Sequence, residues 1–407
     1  MDTPWISFQV DLTRMPPTFW LDLGEVRSKC EHLANVPLPP PYAKQLHTLS
    51  LTKGVHATTS IEGNTLSEEE VEDIVRRAGA GASSYPEQEV ANVVRSYNAI
   101  LDELLRGGAP ALSVDIIHRF NGEVLEGLEL DKEVRPGRIR QHSVVVGPYR
   151  APDWDRCSEL LAQLCSWLAS SAFVGDGAMK IPIAVIKAAL AHLYLAWIHP
   201  FGDGNGRTAR LCEFLVLVTS GVPTSAAHLI SNHCNDTRDE YYRQLRYASE
   251  SGGDTTRFLS YAVAGFVRGL TEQLDWVYER QFRLTWDEYV LTNVTGRDAA
   301  MRDRRRQIAS ELLFRGSVSR EAIPDLTPAL ARIYAKSTPR TLARDLQELV
   351  SIGLLQESAN GYEANSTVLI ALLPTRVANS SELAVSIMDR LGRARTSGRG
   401  PSLSTNI

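Results

Sequence analysis

A chain of 407 residues has room for two or three domains with sizeable cores. Its 43% hydrophobic and 22% charged residues describe an ordinary soluble globular protein, and a net charge of −5 argues against a whole-molecule surface for nucleic acid or anionic membrane. Cys30, Cys157, Cys165, Cys212 and Cys234 show no CxxC or zinc-ligand spacing, which suits a reducing cytoplasm. No basic patch followed by an apolar run opens the chain, so a cytoplasmic location is expected. The apolar stretch 181–198 is broken by Pro182, Lys187 and His192 and reads as a buried helix, with no membrane partner.

Along the chain, helical periodicity dominates. The first forty residues read as irregular and end at Pro37-Leu-Pro-Pro-Pro41. A helical pattern follows over 42–77, interrupted at Gly63-Asn64, with Ser67-Glu-Glu-Glu70 as a capping box for the next helix. Further helices are predicted over 87–105 and after Ser113. Residues 137–154 change character: Val144-Val-Val146 with Gly147-Pro148 predicts a short hairpin in helical surroundings. Helices resume over 154–169, 181–197, 206–218, 238–251 and 258–289.

The last domain is predicted over 302–375. Helices at 304–314 and 326–335 precede an amphipathic helix that starts at Ser337-Thr-Pro339 and stops at Gly353. A hairpin turning at Asn360-Gly361 completes the order of a winged helix-turn-helix. The fold class is therefore mainly α, a helical core with a small β-hairpin flap followed by a winged helix-turn-helix. The expected divisions are a helical region 1–110, a core 111–270, a helical linker 271–301, the winged domain 302–375 and a flexible tail 376–407.

The chemistry concentrates in His199-Pro-Phe-Gly-Asp-Gly-Asn-Gly-Arg-Thr-Ala-Arg210. Pro200 ends a helix, Gly202, Gly204 and Gly206 let a ligand approach the backbone, and a new helix begins near Gly206. A glycine-rich turn at a helix N-terminus turns free N–H groups toward an anion. Arg207 and Arg210 lie three apart on the first turn and share that anion. Asp203 adds a hard oxygen ligand suited to Mg²⁺ on phosphates, and His199 is able to take a proton near neutral pH. Together these predict a diphosphate site with a metal and a base. His228, His233 and Cys234 have no ligand spacing and read as structural.

The twelve residues resemble the signature of the Fic family, His-Pro-Phe-x-[Asp/Glu]-Gly-Asn-Gly-Arg-x-x-Arg, at every fixed position, and the resemblance extends over about 46–260. It implies a protein adenylyltransferase with ATP as substrate and Mg²⁺ as cofactor. By that resemblance His199 deprotonates a target hydroxyl and Asp203 holds the metal. Gly204, Asn205, Gly206, Arg207, Thr208 and Arg210 surround the phosphates, with Asn205 and the glycine amides on the α-phosphate. Val146 and Gly147 of the flap reach the nucleotide, and Tyr241 and Tyr242 form the adenine side. Gly206 favours adenylyl over phosphoryl transfer.

Thr58-Thr-Ser-Ile-Glu62-Gly63 resembles the family's inhibitory segment, which implies that Glu62 pairs with Arg210 and blocks the γ-phosphate. The implied partner is a target protein docked on the flap, the chain itself included. Removal of AMP by Glu62-activated water is a second reading. A DNA-binding regulator whose core only senses nucleotide is a third. For the winged helix, Arg340 and Arg344 with upstream Arg302, Arg304, Arg305 and Arg306 suggest DNA, while Asp345 and Glu348 dilute the charge. Protein recruitment or homodimer formation therefore stands beside DNA binding.

Overall fold

The structure, a computed structural model, describes residues 5–147 and 149–370. Pro148 of the flap turn, the last residues of the expected 302–375 domain and the expected tail 376–407 lie outside the described residues. The chain forms two compact units, Met1–Gln273 and Leu274–Ile407.

In the first unit, helix α1 (Pro17–Asn35) occupies part of the segment expected to be irregular. Phe19, Leu23, Val26, Cys30 and Leu33 are buried at alternating spacings of four and three, the stripe of an amphipathic helix. Pro17 sits in its first turn, where a missing N–H removes no bond. For the same reason α2 (Pro40–Ser60) begins on the prolines expected to break it. Helix α3 (Glu68–Arg76) carries the predicted box, Ser67 accepting from the Glu70 N–H while the Glu70 carboxylate accepts from the Ser67 N–H. Ser84 and Ser113 cap α4 (Tyr85–Leu105) and α5 (Val114–Val124).

The flap is a minimal antiparallel pair, β1 (Val145–Val146) with β2 (Tyr149–Arg150), and Gly147 turns with φ 58°. Helices α6 (Cys157–Leu168), α7 (Lys180–Ile198), α8 (Asn205–Thr219), α9 (Leu229–Asp236) and α10 (Arg238–Glu250) follow, and α11 (Thr256–Asn293) runs across the unit boundary. The interior of the unit is built on α7 and α8, both buried on nearly every side, α8 with Arg207, Arg210 and Glu213 among its buried residues. By length and composition 177–198 could cross a membrane, with mean hydropathy 1.8, but 78% of that window is buried inside the molecule. Both helices meet at the loop 199–204, so the glycine-rich turn is carried on the most deeply packed elements of the unit.

Helix α2 is fixed against this core at its far end. A Cβ on Gly54 would lie 2.2 Å from His228 Nδ1, so only glycine lets α2 come this close. Thr58 Oγ1 and Tyr97 OH are 3.0 Å apart in the interior. His228 stacks on Phe214, and His233 lies against Tyr261 with Arg268 bonded to its ring, both in packing roles.

The second unit contains α12 (Ala299–Leu312), α13 (Pro328–Tyr334), α14 (Pro339–Ser351), a hairpin of β3 (Leu355–Ser358) and β4 (Gly361–Ala364), and α15 (Thr367–Ile370). Its core joins Trp286, Ile308, Leu312, Leu330, Leu346 and Leu349. Phe282, Trp286, Val290 and Val294 belong to this core, so much of the expected linker 271–301 is an integral part of the unit. Asp345 is buried beneath Arg304 (Nε, 2.5 Å), Arg305 (Nε, 2.9 Å) and the Tyr334 hydroxyl (3.1 Å). Arg306 donates to the Leu291 and Val294 carbonyls and Arg302 to that of Gly296. Four arginines expected to face a duplex are thus tied down within the unit, and the acid expected to dilute the charge of α14 is hidden.

Candidate active site

Helix α7 ends because His199 takes a left-handed backbone, φ 46°, just before Pro200, which offers no N–H to continue the helix. Gly204, φ 75°, caps α8 without a side-chain acceptor, so the first-turn N–H groups of α8 stay open toward the loop. The Asn205 amide donates to the Phe201 carbonyl (2.9 Å) and accepts from its N–H (2.9 Å). Asn205 therefore braces the turn, and the expectation that its side chain faces a phosphate is not met in this geometry. Thr208 is corrected in the same way: its hydroxyl donates to the Gly204 carbonyl (2.8 Å), accepts from Asn121 (3.3 Å) and is buried within α8.

The two arginines reach the pocket from beneath, both almost fully buried. Arg207 donates to Glu89 of α4 (2.5 Å) and to Asp203 (3.0 Å), and Glu89 is itself held by the Asn64 amide (2.8 Å). Arg210 donates through one nitrogen to the Thr58 carbonyl (2.9 Å) and to the Glu62 carboxylate. Its other two nitrogens are buried without a hydrogen-bond partner among the described residues, which leaves strong donors unsatisfied. The expected Glu62–Arg210 pair is thus present. A Cβ on Gly206 would meet Glu62 Oε1 at 1.9 Å, so the carboxylate occupies the space that the glycine keeps free.

Burial opposes the charge on Glu62, but Arg210, by attraction and hydrogen bond, with Arg207 and His199 behind it, holds the carboxyl below the usual range. His199 moves the other way. Burial lowers its pKa, a hydrogen bond to the Ala196 carbonyl opposes this, and Arg140 reinforces it. The imidazole is therefore neutral at pH 7, with one nitrogen committed to Ala196 and the other able to accept a proton.

Asp203 is the acidic residue at the mouth. One of its oxygens accepts from the Gly204 N–H (2.5 Å) and Arg207, while the side chain remains 42% exposed. Among the described residues no cluster of three or more His, Cys, Asp or Glu side chains could enclose a metal ion. A single open carboxylate fits a cation held mainly by phosphate oxygens and water, as Mg²⁺ is.

The flap presents Val145 and Val146 outward, with Tyr149 OH anchored on the Trp197 carbonyl (2.7 Å). The expected tyrosine pair divides. Tyr241 is buried, bonded to His192 (2.8 Å), which in turn bonds Glu213 (2.6 Å), so it lines no open surface. Tyr242 is 45% exposed and lies with Arg238 around the Ile61 carbonyl, next to Glu62. The sequence reading missed Glu89 and Arg140. Both are charged residues without a local partner in their own segments, and that is the only trace they leave in the sequence.

Residues 111–217 match the Fic/DOC family. The chain is 32% identical over 211 residues to the protein adenylyltransferase fic-1 of Caenorhabditis briggsae, and equally to that of Caenorhabditis elegans, covering 51% of this chain and 38% of each relative. It thus spans well under half the length of these curated relatives. A Fic family protein from Desulfovibrio desulfuricans superposes with TM-score 0.51 at 22% identity, over 88% of this chain and 92% of that one. A segment of Fic-1 from C. elegans gives TM-score 0.52 at 26% identity, over 63% and 72%. With the loop, the mainly helical fold and the small hairpins in agreement, residues 111–217 form a Fic/DOC family domain, and over about half its length the chain is homologous to the protein adenylyltransferases named Fic.

Proposed function

We propose that the chain is an autoinhibited protein adenylyltransferase that moves AMP from ATP to a hydroxyl of a protein. The observation that carries this reading is the Glu62 carboxylate seated on Arg210 inside an anion-binding helix terminus. A carboxylate there occupies an oxyanion site, and a regulatory mimic of a phosphate is its simplest use.

In the reaction His199 takes the proton of the target hydroxyl. The hydroxyl oxygen forms a bond to the α-phosphorus, the bond from that phosphorus to the bridging oxygen breaks, and pyrophosphate leaves. The first-turn amides of α8 stabilise charge on the α-phosphate, while Arg207 and Arg210 hold the β- and γ-phosphates. Mg²⁺, when bound at Asp203, neutralises charge on the diphosphate. The target lies along the exposed β1 edge, whose Val145 is 63% exposed, by strand addition, and the enzyme works in the cytoplasm.

The second unit, in which α12, α13 and α14 precede the hairpin and α15 follows it, we read as a winged helix-turn-helix that recruits the target protein. With Arg304 and Arg305 on Asp345, of the arginines first assigned to a duplex only Arg340 and Arg344 of α14 remain exposed.

The test uses Mg²⁺ with ATP labelled either at the α- or at the γ-phosphate. Label from the α-position alone should enter protein, and His199→Ala should abolish it. Entry of γ-label would replace adenylyl by phosphoryl transfer. No entry of either label, with Glu62-dependent release of AMP from a pre-modified protein, would establish the reverse reaction instead.

A further inference from the structure

One buried cation outside the loop holds the loop in place. Arg140 lies on the segment entering the flap, is 2% exposed, and makes no ion pair among the described residues. Its three nitrogens instead reach three carbonyls. Nε donates to His199 (2.8 Å), Nη1 to His142 (2.6 Å) and Nη2 to Pro152 (2.6 Å), with the Cys157 sulfur at 3.5 Å. His142 precedes β1 and Pro152 follows β2, so both ends of the flap meet the His199 main chain on one guanidinium. The backbone adds to the join, since the Arg140 N–H donates to the Pro200 carbonyl (3.0 Å) and Ile139 bridges to Phe201.

Two physical facts make this more than packing. His199 sits in the left-handed region, which a histidine holds only when its surroundings fix it. A buried guanidinium whose hydrogen bonds go only to carbonyls, with Asp153 acting on it through space, is costly, and an apolar side chain would fill the same space more cheaply if packing were the only need. The charge therefore has a use, and the group it faces is His199. Glu62 from the end of α2, Asp203 from the loop and the Ala196 carbonyl from α7 all favour the protonated imidazole, whereas Arg140 opposes it. Burial does most to keep the ring neutral, and an arriving triphosphate adds more negative charge, against which the fixed Arg140 cation supports the burial effect.

We propose that Arg140 is the positioning residue for the reaction base: it sets the His199 main chain, joins it to both ends of the flap, and holds the imidazole in its proton-accepting form. The proposal rests on His199 being the base. It extends to the target, because a substrate strand laid on the flap is referenced to the base through a single side chain.

The experiment compares full-length wild type with Arg140→Gln, neutral but able to bond carbonyls, and Arg140→Lys, charged but unable to reach all three. Imidazole titrations are followed by NMR, with the His199 signal identified by its loss in His199→Gln, and pH–rate profiles of AMP transfer are measured alongside. In Arg140→Gln the His199 ring should titrate at higher pH than in wild type, and the acid limb of the rate profile should move with it. In Arg140→Lys the titration should stay near wild type, while kcat falls on the order of a hundredfold from misplacement, with little change in KM for ATP. Equal titration of His199 in all three proteins would overturn the proposal, whatever their rates. If no protein transfers AMP, the titrations still decide the role of Arg140, and only the adenylyl-transfer reading fails.

Discussion

If Glu62 is the proposed brake, replacing it by glycine should release the site without adding anything to the pocket. In the resting site two guanidinium groups, Arg207 and Arg210, face three carboxylates, Glu62, Glu89 and Asp203, a formal excess of one negative charge with His199 neutral. Loss of Glu62 brings this to zero and frees the third Arg210 nitrogen for the γ-phosphate, beside the two already without a hydrogen-bond partner among the described residues. A full Coulomb estimate would exaggerate the gain, because the Glu62 side chain is 33% exposed and screened by water. The hydrogen-bond term is the sounder measure. One charge-assisted contact regained by phosphate is worth about 1.5–3 kcal/mol, or roughly ten- to hundredfold in productive ATP seating. The assay is the initial rate of AMP incorporation from α-labelled ATP for wild type, Glu62→Gly, Arg210→Ala and the double variant. Glu62→Gly should accelerate by that factor, and neither protein lacking Arg210 should be activated. An unchanged rate in Glu62→Gly, or equal activation with Arg210 absent, refutes the reasoning.

Other outcomes follow from the same geometry. His199→Ala should lose transfer while ATP binding measured by calorimetry persists, since the phosphate donors lie on α8; weakened binding in step with the rate would move His199 out of the base role. Asp203→Ala should no longer bind ATP more tightly when Mg²⁺ is added, and retained Mg²⁺ dependence would show that the ion sits elsewhere. A chain ending at Gln273, the edge of the first unit, should keep self-modification and lose modification of outside proteins, whereas one ending near Asn293 would leave Trp286 without its core. Salt-sensitive binding of the full chain to one DNA sequence would argue against protein recruitment. His228, whose pKa burial lowers from 6.5 to about 3, charges more readily when unfolded, so its contribution is fully present above pH 6.5 and is lost as pH falls toward 3. At pH 4.5 this amounts to about 2–3 kcal/mol, and urea midpoints of His228→Gln should fall less steeply with acid than those of wild type.

The loop 199–210 was legible because its parts are local: a helix stop, three glycines, and two arginines one turn apart. The capping box at Ser67 was legible for the same reason. Helix α1 was hidden behind its prolines, although the spacing of Phe19, Leu23, Val26, Cys30 and Leu33 was there to be read. Asp345 was counted as a surface acid, yet it shares the face of Leu342, Leu346 and Leu349, and periodicity alone places it inward. Tyr241 and Tyr242 were read together, but adjacent helical residues point about 100° apart, so one entered the core and the other stayed at the surface. Glu89 and Arg140 could not be found this way. Their partners lie 118 and 59 residues away, and only the fold brings them together.

The central claim is transfer of AMP to a protein hydroxyl through His199. Peptide mapping by tandem mass spectrometry of Glu62→Gly, incubated with ATP and Mg²⁺, tests it most directly, with Glu62→Gly/His199→Ala treated in parallel. The account predicts AMP on a serine, threonine or tyrosine of the first protein and none on the second. AMP present equally on both, or phosphate in place of AMP, would contradict it.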